Sequence, residues 1–271
     1  MKHKIPIIVT TSNQALSNPV SVTIMGTYKE NPKTKGSGIV CAIPQKGICP
    51  NKCDDCFFQS GRSYFEPLDK NLPNMPTRDD ARNRIVRVND GNDSNVDRET
   101  VIAATKDFKH KFYNTSIPEN LEAFDAPVVL TINPGKMTDI GFYRFHTDNL
   151  MFVRLRANTW NKKLQQQAIQ YYAEQQTPIV LTFMAYFEIA HKIPQDHRIN
   201  YVFRKRTLNH YWAITTRAWR EIMHTYEDTP YEKWVYSCGK LEGEAGTSAC
   251  RHCGNCLREY YATLERMRKG A

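Results

Sequence analysis

Apolar stretches that alternate with helix-like stretches are the feature of this sequence that most limits its possible folds. In chain order, the predicted strands are 37–44, 83–93, 126–135, 149–160, 177–187 and a possible sixth at 232–239. Helices are predicted from about Asp97, over 161–176 and from about Leu208 to Tyr226. Strands that alternate with helices usually lie parallel, because each helix makes the crossover to the next strand. The sequence therefore predicts an α/β fold, either barrel-like or doubly wound.

Polar stretches follow the first five predicted strands. After the first strand comes a cysteine loop, and the others are "NDGND" (89–93), "NPGKMTD" (133–139), "ANTWN" (157–161) and "AYFE" (185–188). In parallel α/β folds, the chemistry gathers at the carboxyl ends of the strands. The pattern therefore predicts one site at this edge of the sheet.

Length, composition and charge narrow the class of protein. The chain has 271 residues, 41% of them hydrophobic, which is enough for a core in one large domain or two modest ones. No stretch approaches the ~20 consecutive apolar residues that span a bilayer. The apolar stretch near the start of the sequence is too short for a signal peptide. These observations predict no membrane association and, by default, a cytoplasmic location.

A net charge of +9 permits an anionic partner such as nucleic acid. The densest basic cluster, 204–220, also contains Tyr211, Trp212 and Trp219. At helical spacing these aromatic side chains would pack inward while the arginines face water, and nucleic-acid contact is the alternative.

The eight cysteines fall into two groups. The first contains Cys41, Cys49, Cys53 and Cys56, and the second contains Cys238, Cys250, Cys253 and Cys256. Disulfide-rich proteins are usually short and exported, so tight thiol groups here favour a metal or an iron–sulfur cluster over disulfides.

The loop "GICPNKCDDCFFQSG" (47–61) spaces its cysteines as C-x3-C-x2-C. Three thiolates at Cys49, Cys53 and Cys56 can hold a [4Fe–4S] cluster and leave one iron open to a small molecule. Zinc fits less well, because a structural zinc site generally needs four ligands. Cys41 is the candidate fourth ligand, but its apolar strand favours a small buried thiol.

This cysteine loop, directly after a first strand and before further β/α units, resembles that of the radical S-adenosylmethionine (AdoMet) enzymes. The chain is similar to small phage or mobile-element members of that family with a C-terminal cysteine cluster. The resemblance implies a partial (β/α)6 TIM-type barrel at 37–236, after an N-terminal strand or arm at 1–36. It also implies a [4Fe–4S] cluster, AdoMet at its open iron, and an electron donor such as flavodoxin or ferredoxin. Reductive cleavage of AdoMet would give a radical that abstracts hydrogen from a substrate.

The resemblance also implies contacts to AdoMet. The turn after strand two would meet the AdoMet amino group through Asn89, Asp90, Gly91 and Asp93, although such residues also favour a plain turn. Asn158, at the end of the predicted strand four, would meet the ribose. The family often has an aromatic residue just before the third cysteine, near the adenine. Here that position is Asp55, and Phe57 is the nearest candidate.

The second cysteine group lies in a predicted Cys-rich C-terminal extension, 237–271. The spacing of Cys250, Cys253 and Cys256 is similar to ferredoxin spacing and, with Cys238, favours a second [4Fe–4S] cluster. A four-cysteine zinc site is the alternative.

Two functions follow from the sequence. The first is a radical AdoMet enzyme of unknown substrate and reaction outcome. The alternative is a non-catalytic zinc-binding protein that binds nucleic acid through its positive charge. No G-x-G-x-x-G dinucleotide motif and no phosphate-binding loop occurs in the sequence.

Overall fold

The structure, a computed structural model, describes residues 27–51, 56, 58–59, 63–133, 139–183, 185–187, 192–205, 210–239 and 250–270. Its strands are β1 (Ile39–Ala42), β2 (Ile85–Val88), β3 (Lys111–Thr115), β4 (Val128–Ile132), β5 (Leu150–Ala157), β6 (Ile179–Phe183), β7 (Ala185–Phe187), β8 (Tyr201–Arg204), β9 (Tyr211–Ile214) and β10 (Val235–Ser237). Its helices are α1 (Leu68–Asn71), α2 (Arg98–Thr105), α3 (Lys162–Glu174), α4 (Thr216–His224), α5 (Cys250–Cys253) and α6 (Asn255–Gly270).

Seven parallel strands form the main sheet, in the order β1-β2-β3-β4-β5-β6-β10. A second, antiparallel sheet has the order β7-β9-β8. The α/β prediction is therefore confirmed. Within the described residues β1 and β10 do not pair with each other, so no closed barrel is seen.

The prediction and the structure differ at three elements. The strand β3 was not predicted, because Lys111 and Asn114 make its sequence look half polar. The predicted strand at 177–187 is divided between β6 and β7, which belong to different sheets. The helix predicted from Leu208 begins only at Thr216, because 211–214 forms the strand β9.

The two faces of the main sheet are covered differently. One face packs against α2, α3 and α4 in the largest hydrophobic cluster. The other begins with an apolar layer at the amino ends of the strands, which contacts Tyr260 of α6; this layer consists of Ile85, Phe112, Val129, Phe152 and Val180. Residues two apart along a strand point to the same face. Beyond the apolar layer, toward the carboxyl ends of the strands, this face therefore carries a second layer, which is polar. It includes Cys41, Arg87, Asn114 and Arg154.

The C-terminal segment 250–270 packs on this second face and makes contacts at the two outer strands of the main sheet, β1 and β10. Asn255 Nδ2 donates to the Ser237 carbonyl of β10 at 3.0 Å. The Cys250 N–H donates to the Lys33 carbonyl, ahead of β1, at 2.9 Å. Arg266 also donates to the Leu150 carbonyl at 3.0 Å. The predicted Cys-rich extension is thus packed against the core of the sheet.

Two further predictions concern the chain ends and membranes. The first 26 residues of the predicted N-terminal arm lie outside the described residues. In the described part of the chain, no helix has the length and apolar content that crossing a membrane requires.

Candidate functional site

The first cysteine loop begins directly after β1. Cys49 and Cys56 are half-buried, whereas Cys53, Asp55 and Phe57 lie outside the described residues. Cys56 packs beside Phe58 in a small hydrophobic cluster. The backbone of Cys49 is also held, since Gln59 Nε2 donates to its carbonyl at 2.6 Å.

Cys41 is fully buried within β1, and burial raises the pKa of its thiol to about 12. The thiol lies 3.7 Å from Thr34 Oγ1 and hydrogen-bonds to the Asp90 carboxylate. Cys41 is thus a small buried thiol within the first strand, with partners inside the chain.

The turn 89–93, after β2, holds the cysteine loop by four contacts. Gln45 Nε2 donates to the Asp93 carbonyl at 2.8 Å, and Asn51 Nδ2 donates to Asp93 Oδ2 at 3.1 Å. Asn92 Nδ2 donates to the Gly47 carbonyl at 2.9 Å. The Phe58 ring lies so close to Gly91 that an added Cβ would fall 2.1 Å from Phe58 Cδ2. These four contacts, which we call the clasp, hold the loop against the turn.

Asp93 joins this clasp to the end of β3. Its Oδ1 accepts from Thr115 Oγ1 at 2.7 Å and from the Asn95 N–H at 2.9 Å. Its Oδ2 accepts from both the N–H and the Oγ of Ser116 at 2.7 Å. With only 4% of Asp93 exposed, its carboxylate is already occupied by donors of this chain. Its evident role is to position the loop.

Asp90 is likewise engaged, through an ion pair with Arg87 and hydrogen bonds from Asn31 and from Tyr64, the latter at 3.2 Å. Burial alone would raise the pKa of Asp90, but the Arg87 guanidinium and these hydrogen bonds outweigh it and lower the pKa. Asp90 is therefore an anion with its partners already in place.

Asn89 differs from its neighbours in the turn. It lies at φ 61°, in the left-handed region that asparagine tolerates, and its Nδ2 donates to Ser94 Oγ at 3.0 Å. Only 2% of the residue is exposed, and among the described residues its buried Oδ1 has no hydrogen-bond partner. A buried acceptor without a partner is costly, and a cationic donor would suit it.

Asn158 follows β5, the fifth strand of the sheet, because the unpredicted β3 shifts the strand count by one. Its Oδ1 accepts from the N–H groups of Trp160 and Asn161, at 3.1 and 2.8 Å, at the start of α3. The ribose contact was therefore predicted for a side chain whose oxygen already accepts two backbone hydrogen bonds beside a helix.

The C-terminal cysteines gather on the polar layer of the sheet. A hydrogen bond between the Cys238 and Cys253 thiols raises the pKa of Cys238 and lowers that of Cys253 to about 5. Burial raises the pKa of Cys256, while Arg154 and Arg87 act against that rise. The same two arginines and Cys250 interact electrostatically with this group. The structure thus brings together Cys238, Cys250, Cys253 and Cys256.

Among the described side chains, no three His, Cys, Asp or Glu residues are placed to hold a metal ion. Cys53 and the segment 240–249 between the C-terminal cysteines lie outside the described residues.

Sequence reasoning missed the residues that support the two groups. Gln45 and Asn51 contribute to the clasp and no motif marks them, whereas Asn92 lies in the turn 89–93 that the sequence singled out. Arg87 and Arg154 were detectable, since both are charged residues within largely apolar strands. Charged residues are seldom buried without a partner or function.

Comparisons of this chain with protein-family models, with curated proteins and with solved structures found no match.

Proposed function

We propose that this protein is a radical AdoMet enzyme with a partial (β/α)6 barrel, which acts in the cytoplasm on a substrate not yet identified. One observation carries the proposal: the C-x3-C-x2-C loop leaves the first strand of a sequentially ordered parallel sheet and is clasped by the turn after the second strand. A [4Fe–4S] cluster bound there would supply the electron that cleaves AdoMet to methionine and a 5′-deoxyadenosyl radical.

The residues present fit this group. Cys49, Cys53 and Cys56 would hold the cluster, and the clasp would keep their loop at the carboxyl edge of the sheet. Asn89 Oδ1, which has no hydrogen-bond partner among the described residues, would accept a hydrogen bond from the AdoMet ammonium. Asp90 and Asp93, whose carboxylates have partners within the chain, would position this turn.

The C-terminal cysteines would hold a second centre, either a [4Fe–4S] cluster or zinc. Arg87 and Arg154 lie beside these thiols with one buried carboxylate, Asp90, paired to Arg87. Arg154 donates to the neutral Asn114 at 3.1 Å, and no described carboxylate pairs with it. A four-thiolate centre is anionic with either metal, so it would offset this positive charge.

Anaerobic purification with metal and sulfide analysis tests the proposal. We expect a brown protein that reductively cleaves AdoMet to 5′-deoxyadenosine. The triple variant Cys49→Ala, Cys53→Ala and Cys56→Ala should lose about four iron atoms per chain and all cleavage. The control, Cys250→Ala with Cys253→Ala, should lose only the metal of the second centre.

A zinc-binding protein without catalysis is the competing outcome. A colourless protein that still contains stoichiometric zinc after anaerobic reconstitution, and that forms no 5′-deoxyadenosine, would overturn the proposal. The electron donor, a flavodoxin or a ferredoxin, would be identified by which of the two supports cleavage.

A further inference from the structure

The small antiparallel sheet β7-β9-β8 carries a row of aromatic side chains on one face. Paired residues of antiparallel strands lie on the same face, and Trp212 of β9 pairs with both Tyr186 of β7 and Phe203 of β8. The Phe203 and Trp212 ring centroids are 5.4 Å apart. The row thus runs across all three strands of this sheet.

This row passes from the core to the surface. Tyr186 is 2% exposed and packs against Trp160, with ring centroids 5.4 Å apart. Trp212 is half-buried, and Phe203 on the edge strand is 39% exposed. His210 extends the row outward, 6.1 Å from Phe203. The row is thus anchored in the core at one end, and its outer end is accessible to solvent.

The segment that contains this sheet has an excess of positive charge. Residues 185–214 contain five basic residues, Lys192, Arg198, Arg204, Lys205 and Arg206, and two acidic ones, Glu188 and Asp196. This segment therefore carries +3 of the net charge of +9. A segment that combines aromatic rings with an excess of positive charge suits a partner that has both π-surfaces and negative charge.

The position of this sheet links it to the proposed site. β7 follows β6 after a single residue, and Trp160 lies three residues beyond β5. The small sheet therefore stands at the carboxyl ends of β5 and β6. The cysteine loop leaves the carboxyl end of β1, at the same edge of the parallel sheet.

We infer that the face of the small sheet formed by Trp212 and Phe203, with Lys205 at its border, binds single-stranded nucleic acid. Unpaired bases stack on aromatic side chains, while basic residues contact the phosphates. A duplex hides its base faces, so this surface should favour single strands. That the bound strand is also the substrate rests on the proposed function, whereas binding itself does not.

Fluorescence anisotropy with fluorescein-labelled dT20 and U20 tests the inference, with a 20-base-pair duplex for comparison. Phe203→Leu keeps an apolar side chain but removes the ring, and it should weaken binding of a single strand about tenfold. The control is Phe142→Ala, which removes another aromatic residue that is 56% exposed but lies outside the small sheet. It should leave the Kd unchanged.

Salt dependence separates the phosphate contacts from stacking. Lys205→Ala should reduce the slope of log K against log salt by about 0.7, the contribution of one phosphate contact on a single strand. The matched control is Lys109→Ala, an exposed lysine just before β3, at the amino ends of the strands of the main sheet. It should leave the slope unchanged.

Three results would overturn the inference: no binding of either single strand at low salt, equal affinity for the duplex, or Phe203→Leu binding like Phe142→Ala. The proposed function is measured separately, by the formation of 5′-deoxyadenosine by the wild type in the absence of nucleic acid. If the wild type does not cleave AdoMet but binds single strands, the proposed function is wrong and the inferred binding surface is retained.

Discussion

The two cysteine-bearing regions of this protein are held in place by different forces. The first loop, after β1, is fixed mainly by hydrogen bonds to the turn 89–93 and to the end of β3. The C-terminal region is fixed by α6, whose apolar side chains fill the amino-end layer of the sheet. One region therefore depends on polar geometry and the other on buried area.

This difference predicts how mutations in each region should affect stability and metal binding. Packing energy scales with buried area and is shared by the whole sheet, so its loss should unfold the protein. Hydrogen bonds in a loop contribute less net free energy but fix positions. Damage to the clasp should therefore reduce metal binding at the first loop more than it reduces global stability.

Tyr260→Ala should have the largest effect on stability. Tyr260 is 2% exposed and its ring lies 6.5 Å from that of Phe112, so its removal leaves a cavity under the sheet. We expect a loss of about 3–5 kcal/mol in the free energy of unfolding, measured by urea denaturation. Its neighbour Tyr261 is 59% exposed, and Tyr261→Ala should change stability by less than about 0.5 kcal/mol. Equal losses in the two variants would contradict this account of the C-terminal region.

Asp93→Asn should have the next largest effect, concentrated on the first loop. The new amide would place a donor against the N–H and hydroxyl groups that now donate to the carboxylate. We expect a loss of about 2–3 kcal/mol and poor iron loading at the first loop, with metal at the C-terminal cysteines retained.

The control for Asp93→Asn is Asp107→Asn, which breaks a surface ion pair with Arg78 whose two side chains are 56% and 80% exposed. Exposed pairs contribute little, so its effect should stay below about 1 kcal/mol. Unchanged iron loading in Asp93→Asn would show that the clasp does not position the loop.

The fold was predictable from the sequence where strands are mostly apolar. β1, β2, β4, β5 and β6 all fall within predicted strands. β3 was missed because its polar residues are buried with partners that are distant in sequence. Lys111 pairs with Asp125 at 2.9 Å, and Asn114 donates to the Val88 carbonyl at 2.9 Å. Tertiary partners of this kind leave no periodic signal in the local sequence.

The candidate site was predictable as a location but not as a set of contacts. Sequence order places the cysteine loop and the turn 89–93 after adjacent strands, and the structure brings them together. The sequence could not show that the Asp93 carboxylate accepts hydrogen bonds from within the chain, because one donor, Ser116, is 23 residues away. For Asn158, the helix that starts three residues later was the available signal, since asparagine often accepts from the first N–H groups of a helix.

Gly91→Ala should have the smallest effect of the three and isolates one contact of the clasp. The new methyl group would overlap the Phe58 ring, which is 6% exposed and packed beside Phe65, so either the ring or the turn must move. We expect a loss of about 1–3 kcal/mol and a partial loss of iron at the first loop. In Phe58→Ala the ring is absent, so adding Gly91→Ala to that variant should cost markedly less than it does in the wild type. If the two losses are simply additive, Phe58 and Gly91 do not act together, and the clasp would consist of its hydrogen bonds alone.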